Sequence, residues 1–161
     1  MKYTTLCFIK KEDSILMLNR EKKVWMGMWN VLGGKGIENE KPEECAIREI
    51  YEESGIKVKN ISYHGMVTWE HNKIKFIDEP MYIFFSEIDK NYELKTPLKT
   101  PEGILDWKKI DWILNKDNIG VIKNIPIFLK DILYENKIFK YHFIWKNNTL
   151  KDYSKKACEM N

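Results

Sequence analysis

The sequence predicts an α+β sandwich. Three observations carry that reading: hairpin patterns open and close the chain, two segments carry apolar residues at helical spacing, and no βαβ rhythm joins strand to helix. Tyr3 to Ile9 is rich in β-formers, Lys11-Glu12-Asp13-Ser14 is a polar turn, and Ile15 to Leu18 resumes the strand. Gly27, Gly33, Gly34 and Gly36 then mark an irregular loop. Pro42 suits the first turn of a helix, and Glu43 and Glu44 favour the positive end of its dipole. Cys45-Ala46-Ile47 through Ile50 keeps the helical spacing and Gly55 supplies a left-handed stop, which places the helix at 42–54. Strand-like segments follow at 57–70 and 79–88, then a short one at 103–108. A second helix fits 124–135, with Ile125, Phe128, Leu129 and Ile132 on one stripe and Pro126 in its first turn. Ile138 to Trp145, the turn Lys146-Asn147-Asn148 and Thr149 to Tyr153 read as a closing hairpin.

Composition bounds the rest. With 161 residues, 43% of them hydrophobic and 13% aromatic, residues 1–161 read as one domain with a sizeable core. No apolar run approaches the roughly 20 residues of a membrane helix, and the chain enters its first strand pattern at Tyr3 without a leader segment. Cys7, Cys45 and Cys158 cannot all pair and lack the spacing of a zinc site, so free thiols in a cytoplasm are expected, with no membrane contact. The formal net charge of +3 comes from 27 basic and 24 acidic residues interspersed along the chain. Arg20 and Arg48 are the only arginines, which argues against a stable nucleic-acid partner.

The informative stretch is Arg48-Glu49-Ile50-Tyr51-Glu52-Glu53-Ser54-Gly55. On a helix, Glu49 shares a face with Glu52 and Glu53, and like charges at that spacing cost roughly 0.2–0.5 kcal/mol per pair. A solvated acidic face is the ordinary reading of such a triplet, yet nothing basic occurs between Arg48 and Lys57 to relieve it. A divalent cation does relieve it, since Mg²⁺ takes oxygen ligands from a few carboxylates, waters and substrate phosphates.

The flanks decide between these readings. The run Gly34-x5-Glu40-x7-Arg48-Glu49-Ile50-x-Glu52-Glu53-x-Gly55-Ile56 matches all nine specified positions of the Nudix box over the 23 residues 34–56. The chain therefore resembles the Nudix hydrolases. That resemblance implies an α/β/α sandwich around a mixed sheet, with the box as a loop–helix–loop. It implies that Glu49, Glu52 and Glu53 hold Mg²⁺ (Mn²⁺ substituting) with help from the Gly33 carbonyl, and that Lys35 faces the phosphates. Arg48 and Glu40 would form a fork that orients a ligand carboxylate. Hydrolysis also needs a base for the attacking water. Glu52 and Glu53 are candidates, with Glu102 a third possibility or a further ligand. Asn39 stands where a glycine often precedes the box glutamate, and asparagine tolerates a left-handed backbone.

Further segments resemble the MutT-related enzymes that clear oxidised purine nucleoside triphosphates. Gly27-Met28-Trp29-Asn30-Val31-Leu32-Gly33-Gly34-Lys35 matches their G-x-W-N-x-x-G-G-K, Glu102-Gly103-Ile104-Leu105-Asp106-Trp107 their E-G-x-L-x-W strand, and Phe139 to Phe143 with Leu150 to Tyr153 their closing hairpin. The resemblance puts Asn30 on the purine edge, where an amide both donates and accepts. It places Thr5 on the pocket floor and Trp69 and Met81 on the walls, with Trp29 a further candidate for substrate binding, or else for packing in the loop. One region departs: Asn115 to Ile122 lacks the acidic pair that reads the oxidised base in the mammalian enzymes, and Asp117 substitutes only if the loop folds differently. The expected activity is release of pyrophosphate from 8-oxo-dGTP and related nucleotides. Hydrolysis of an RNA cap, ADP-ribose or a nucleotide sugar is the alternative, and a non-catalytic nucleotide-binding module is disfavoured because every box glutamate is kept.

Overall fold

In the computed structural model, which describes residues 2–159, nine strands form one mixed sheet with helices on both faces. The elements run β1 Thr4–Lys11, β2 Ser14–Arg20, β3 Trp29–Asn30, α1 Pro42–Ser54, β4 Ser62–His71 and β5 Ile74–Glu87. They continue as β6 Leu98–Thr100, β7 Gly103–Lys109, α2 Ile110–Leu114, α3 Asn124–Tyr134, β8 Ile138–Lys146 and β9 Thr149–Cys158. The sheet order is β6-β7-β2-β1-β5-β4-β8-β9, with β3 paired to β2 off this path. β1–β5 and β4–β8 pair in parallel and the other pairs are antiparallel, which makes the expected α/β/α sandwich.

Alternation along β1 builds both layers at once. Cys7 and Ile9 point towards α1, where they pack with Leu16, Leu18, Leu32, Ala46, Ile50 and Ile56. Leu6 and Phe8 point the other way and join Met17, Ile83, Phe128, Leu129, Tyr141 and Phe143 beneath α3. Among the described residues no helix is long and apolar enough to cross a membrane.

The boundaries of α1 coincide with those predicted. Pro42 opens it, Glu44 accepts a hydrogen bond from the Lys41 N–H at 2.9 Å, and Gly55 ends it in the left-handed region at φ 77°. Three strand boundaries differ from expectation by several residues, one being the end of β9, which runs on to Cys158 instead of stopping at Tyr153. Residues 57–61 lie outside β4, because Val58 and Ile61 pack on the α1-side core without joining the ladder. β5 begins at Ile74 instead of 79, since its first residues pair only with the end of β4 as a projecting ribbon. β3, β6 and α2 have no counterpart in the sequence reading.

Candidate active site

The loop before α1 is laid against β1 almost as another strand. Thr5 N–H donates to the Gly34 carbonyl at 2.8 Å, Cys7 N–H to the Leu32 carbonyl at 2.7 Å, and Gly36 N–H to the Tyr3 carbonyl at 3.0 Å. Two glycines make this approach possible. Gly33 sits at φ 146°, and a Cβ there would fall 2.0 Å from the Thr5 carbonyl oxygen. A Cβ on Gly34 would fall 2.2 Å from the carboxyl carbon of Glu49, so that carboxylate lies directly against the loop backbone.

Arg48 is the hub of the charged cluster. Its Nε and Nη2 donate to the two Glu40 carboxylate oxygens at 2.7 and 2.9 Å, a bidentate fork. Nη1 donates to Glu49 at 2.8 Å and to Glu52 at 3.2 Å, and Nη2 also reaches the Lys35 carbonyl at 3.0 Å. Hydrogen bonding to Arg48 holds the Glu40 carboxyl well below its ordinary range, at about 2. Glu53 stands apart from the guanidinium. Its Oε1 accepts the Gly33 N–H at 2.9 Å, while burial, reinforced by the negative charges of Glu49 and Glu102, pushes it up to about 8.

The Glu49, Glu52 and Glu53 carboxylates open onto a cavity of about 680 Å³, lined also by Thr4, Thr5, Leu18, Arg20, Asn30, Gly33, Lys35, Met81 and Glu102. Glu102 faces the helix carboxylates across it and pairs with Lys22 at 3.4 Å. Met81 belongs at the same time to a second cavity of about 310 Å³, walled by Val24, Trp25, Val67, Trp69, Phe76, Phe143 and Trp145. There Trp69 stacks on Phe76 at 5.5 Å and Trp25 meets Trp145 edge-on at 5.2 Å. A carboxylate-lined cavity and an aromatic one thus share a wall.

The residues expected at the substrate divide accordingly. Asn30, Lys35 and Met81 line the carboxylate cavity, and Trp69 lines the aromatic one. Thr5 also lines the first, but its hydroxyl faces α1, where it accepts the Gly34 N–H at 3.3 Å and lies 3.7 Å from the Cys45 sulfur. By strand alternation the neighbouring Thr4 presents its hydroxyl to the opposite face, beside its ladder partner Met81. Trp29 lines neither cavity: Trp112 lies edge-on to it at 6.4 Å and the Lys108 ammonium covers it at 4.4 Å. Asp117 is exposed and also lines neither.

Two further residues escape a motif-based reading. Among the described residues, four buried polar side-chain atoms lack a partner: Thr4 Oγ1, Arg20 Nε, Asn124 Oδ1 and Trp107 Nε1. The first three belong to residues that line the two cavities, where a ligand would supply the missing bonds. Arg20 had a signal of its own, as one of two arginines in a lysine-rich chain. Asn124 had none beyond its place at the start of a helix.

A family model described as the NUDIX domain matches residues 2–131. The chain belongs to the Nudix family. Nudix proteins hydrolyse pyrophosphate bonds of nucleoside derivatives, and this chain is such an enzyme. It is 28% identical over 109 residues to the oxidized purine nucleoside triphosphate hydrolase of Mus musculus, covering 68% of this chain and 67% of that protein. It is 35% identical over 81 residues to the NAD-capped RNA hydrolase NudC of Vibrio parahaemolyticus, of whose length it spans 29%. The crystal structure of a mutator MutT protein from Bacillus halodurans superposes with a TM-score of 0.76 at 25% identity, covering 96% of this chain and 97% of that one.

Nudix hydrolases work with divalent metal ions, and the donor chemistry of this site fits one. Its carboxylates are hard oxygen ligands, and Glu53 is buried where its own charge is unfavourable, which a cation would reverse. Among the described residues no three acidic side chains converge on one point. Glu49 and Glu52 bond to Arg48, and Glu53 to the Gly33 N–H.

Proposed function

We propose that this Nudix hydrolase is a cytoplasmic nucleoside triphosphate pyrophosphohydrolase. Its substrates are oxidised purine deoxynucleotides such as 8-oxo-dGTP, and its products are the monophosphate and pyrophosphate. The observation that carries this reading is the shared wall at Met81, where the carboxylate cavity adjoins an aromatic one near the lower end of small-molecule pocket sizes (about 300–1,000 Å³). A triphosphate would lie among charges while its planar base stacks next door. The similarity to the mouse enzyme over two thirds of both chains supports the same assignment, whereas the matches to NudC cover 23% to 37% of NudC.

Glu49, Glu52 and Glu53 would hold Mg²⁺ with the Gly33 carbonyl, Glu102 would complete the set from the opposite wall, and Mn²⁺ would substitute. When bound, the ion neutralises phosphoryl oxygens and stabilises the leaving pyrophosphate. Arg48 positions Glu49 and Glu52 while Glu40 fixes Arg48 itself. Arg20 and Lys35 face the phosphates, for which a guanidinium fork is well matched. Glu53 is the base. Its Oε1 is fixed by the Gly33 N–H, so its other oxygen takes the proton as water forms the new P–O bond and the bond to pyrophosphate breaks. Thr4, Asn30 and Asn124 supply hydrogen bonds to the nucleoside, and Trp25, Trp69 and Met81 enclose its ring.

Pyrophosphate release with Mg²⁺, compared for 8-oxo-dGTP and dGTP, tests the reading. A kcat/KM ratio above about ten, worth about 1.4 kcal/mol, is the expected result. A ratio near one makes the enzyme a general triphosphatase. Turnover confined to ADP-ribose, dinucleotides or capped RNA overturns the proposal.

A further inference from the structure

The W-N dipeptide of β3 divides its labour. Trp29 turns away from the substrate cavities and Asn30 lines the carboxylate cavity. β3 has only two residues, paired to β2 as Leu18↔Asn30 and Asn19↔Trp29. So short a strand fixes its own register poorly, and a slip of one residue would put an indole where the amide stands. Beyond the ladder to β2, the contacts that pin it act on Trp29. Its N–H donates to the Gly120 carbonyl at 2.8 Å and its carbonyl accepts the Ile122 N–H at 3.2 Å. The Lys108 ammonium lies 4.4 Å over the Trp29 ring and 5.3 Å from that of Trp112, and Asp106 steadies it at 3.3 Å. Beyond the clamp, Asn30 Oδ1 accepts the Val31 N–H at 2.8 Å, which leaves the amide NH₂ to offer a ligand.

We propose that Lys108 is a positioning residue for substrate recognition: by clamping Trp29 against Trp112 it fixes the register of β3 and so the aim of the Asn30 amide. The inference rests on the reading of Asn30 as a nucleoside contact. It assigns a recognition role to a lysine that touches no substrate.

The test is the kcat/KM ratio for 8-oxo-dGTP over dGTP in Lys108→Met, which keeps the apolar stem and removes the charge. The ratio falls about five-fold, the scale of a partly desolvated cation–π contact, while kcat on dGTP is unchanged. Lys108→Arg restores the ratio because a guanidinium also stacks on indole. Once Asn30→Ala has lowered the ratio, adding Lys108→Met lowers it no further. Trp29→Phe, with a weaker ring for the cation, gives an intermediate ratio if Lys108→Met proves unstable. An unchanged ratio in Lys108→Met, or an equal further loss in the Asn30→Ala background, overturns the clamp alone. An unchanged ratio in Asn30→Ala overturns the reading of Asn30, and the clamp's role in recognition falls with it.

Discussion

The two adjoining cavities are built on opposite principles. The carboxylate cavity draws its charged groups mainly from one run, residues 33–53, stitched to β1 by backbone hydrogen bonds and locked by the Arg48 hub. The aromatic cavity is assembled from residues spread between Val24 and Asn148, on β4, β5, α3, β8 and the loops around them. Bond-making tolerates displacements well under an ångström, and its groups sit chiefly on one helix and a glycine loop. Stacking tolerates more, so its walls come from wherever the sheet brings rings together. Substitutions among the charged groups of the first region are therefore expected to change rate, and those in the second, like those at the neutral Asn30, to change choice.

The largest effect is expected from Glu53→Gln, which removes the base while keeping the shape and the bond from Gly33. Single-turnover rates should fall by about 10²–10⁴-fold with little change in melting temperature. Gly34→Ala comes next. Its methyl would occupy the place of the Glu49 carboxylate, and displacement by an ångström costs about a hundredfold in kcat. Asn124→Ala, on the other side of the shared wall, should reduce discrimination between oxidised and ordinary purine by about tenfold, the cost of one lost hydrogen bond in a desolvated site. The smallest effect concerns stability in acid. Arg48 lowers the folded-state pKa of Glu40 from its ordinary value of 4.5 to about 2, so the pair stabilises the fold fully above pH 4.5. That contribution fades as the pH falls towards 2. Melting temperature followed over this window should drop less steeply in Glu40→Gln than in the parent.

What could be read from sequence follows the same division. α1 was legible to the residue because its ends are set by local chemistry, Pro42 and Gly55, and its function by the spacing of Glu49, Glu52 and Glu53. β3, β6 and α2, with two, three and five residues, are too short for any periodicity to show. The start of β5 was hidden because Ile74 and Ile77 are exposed on the projecting ribbon, so no buried face imposes alternation there. That Thr4 shares a face with Leu6 and Phe8 was legible in the alternation of β1. Asn124 was not. Its cavity is made by tertiary contacts among β4, β5 and β8, and no local pattern announces them.

The central claim is that the carboxylates of one cavity perform the chemistry, while the aromatic cavity together with Asn30 selects the base. The direct test measures kcat/KM for 8-oxo-dGTP and dGTP side by side in Glu53→Gln and Asn124→Ala. The account predicts that Glu53→Gln lowers both values by the same factor and leaves their ratio intact, whereas Asn124→Ala lowers the ratio itself. A ratio that collapses in Glu53→Gln, or survives in Asn124→Ala, would contradict it.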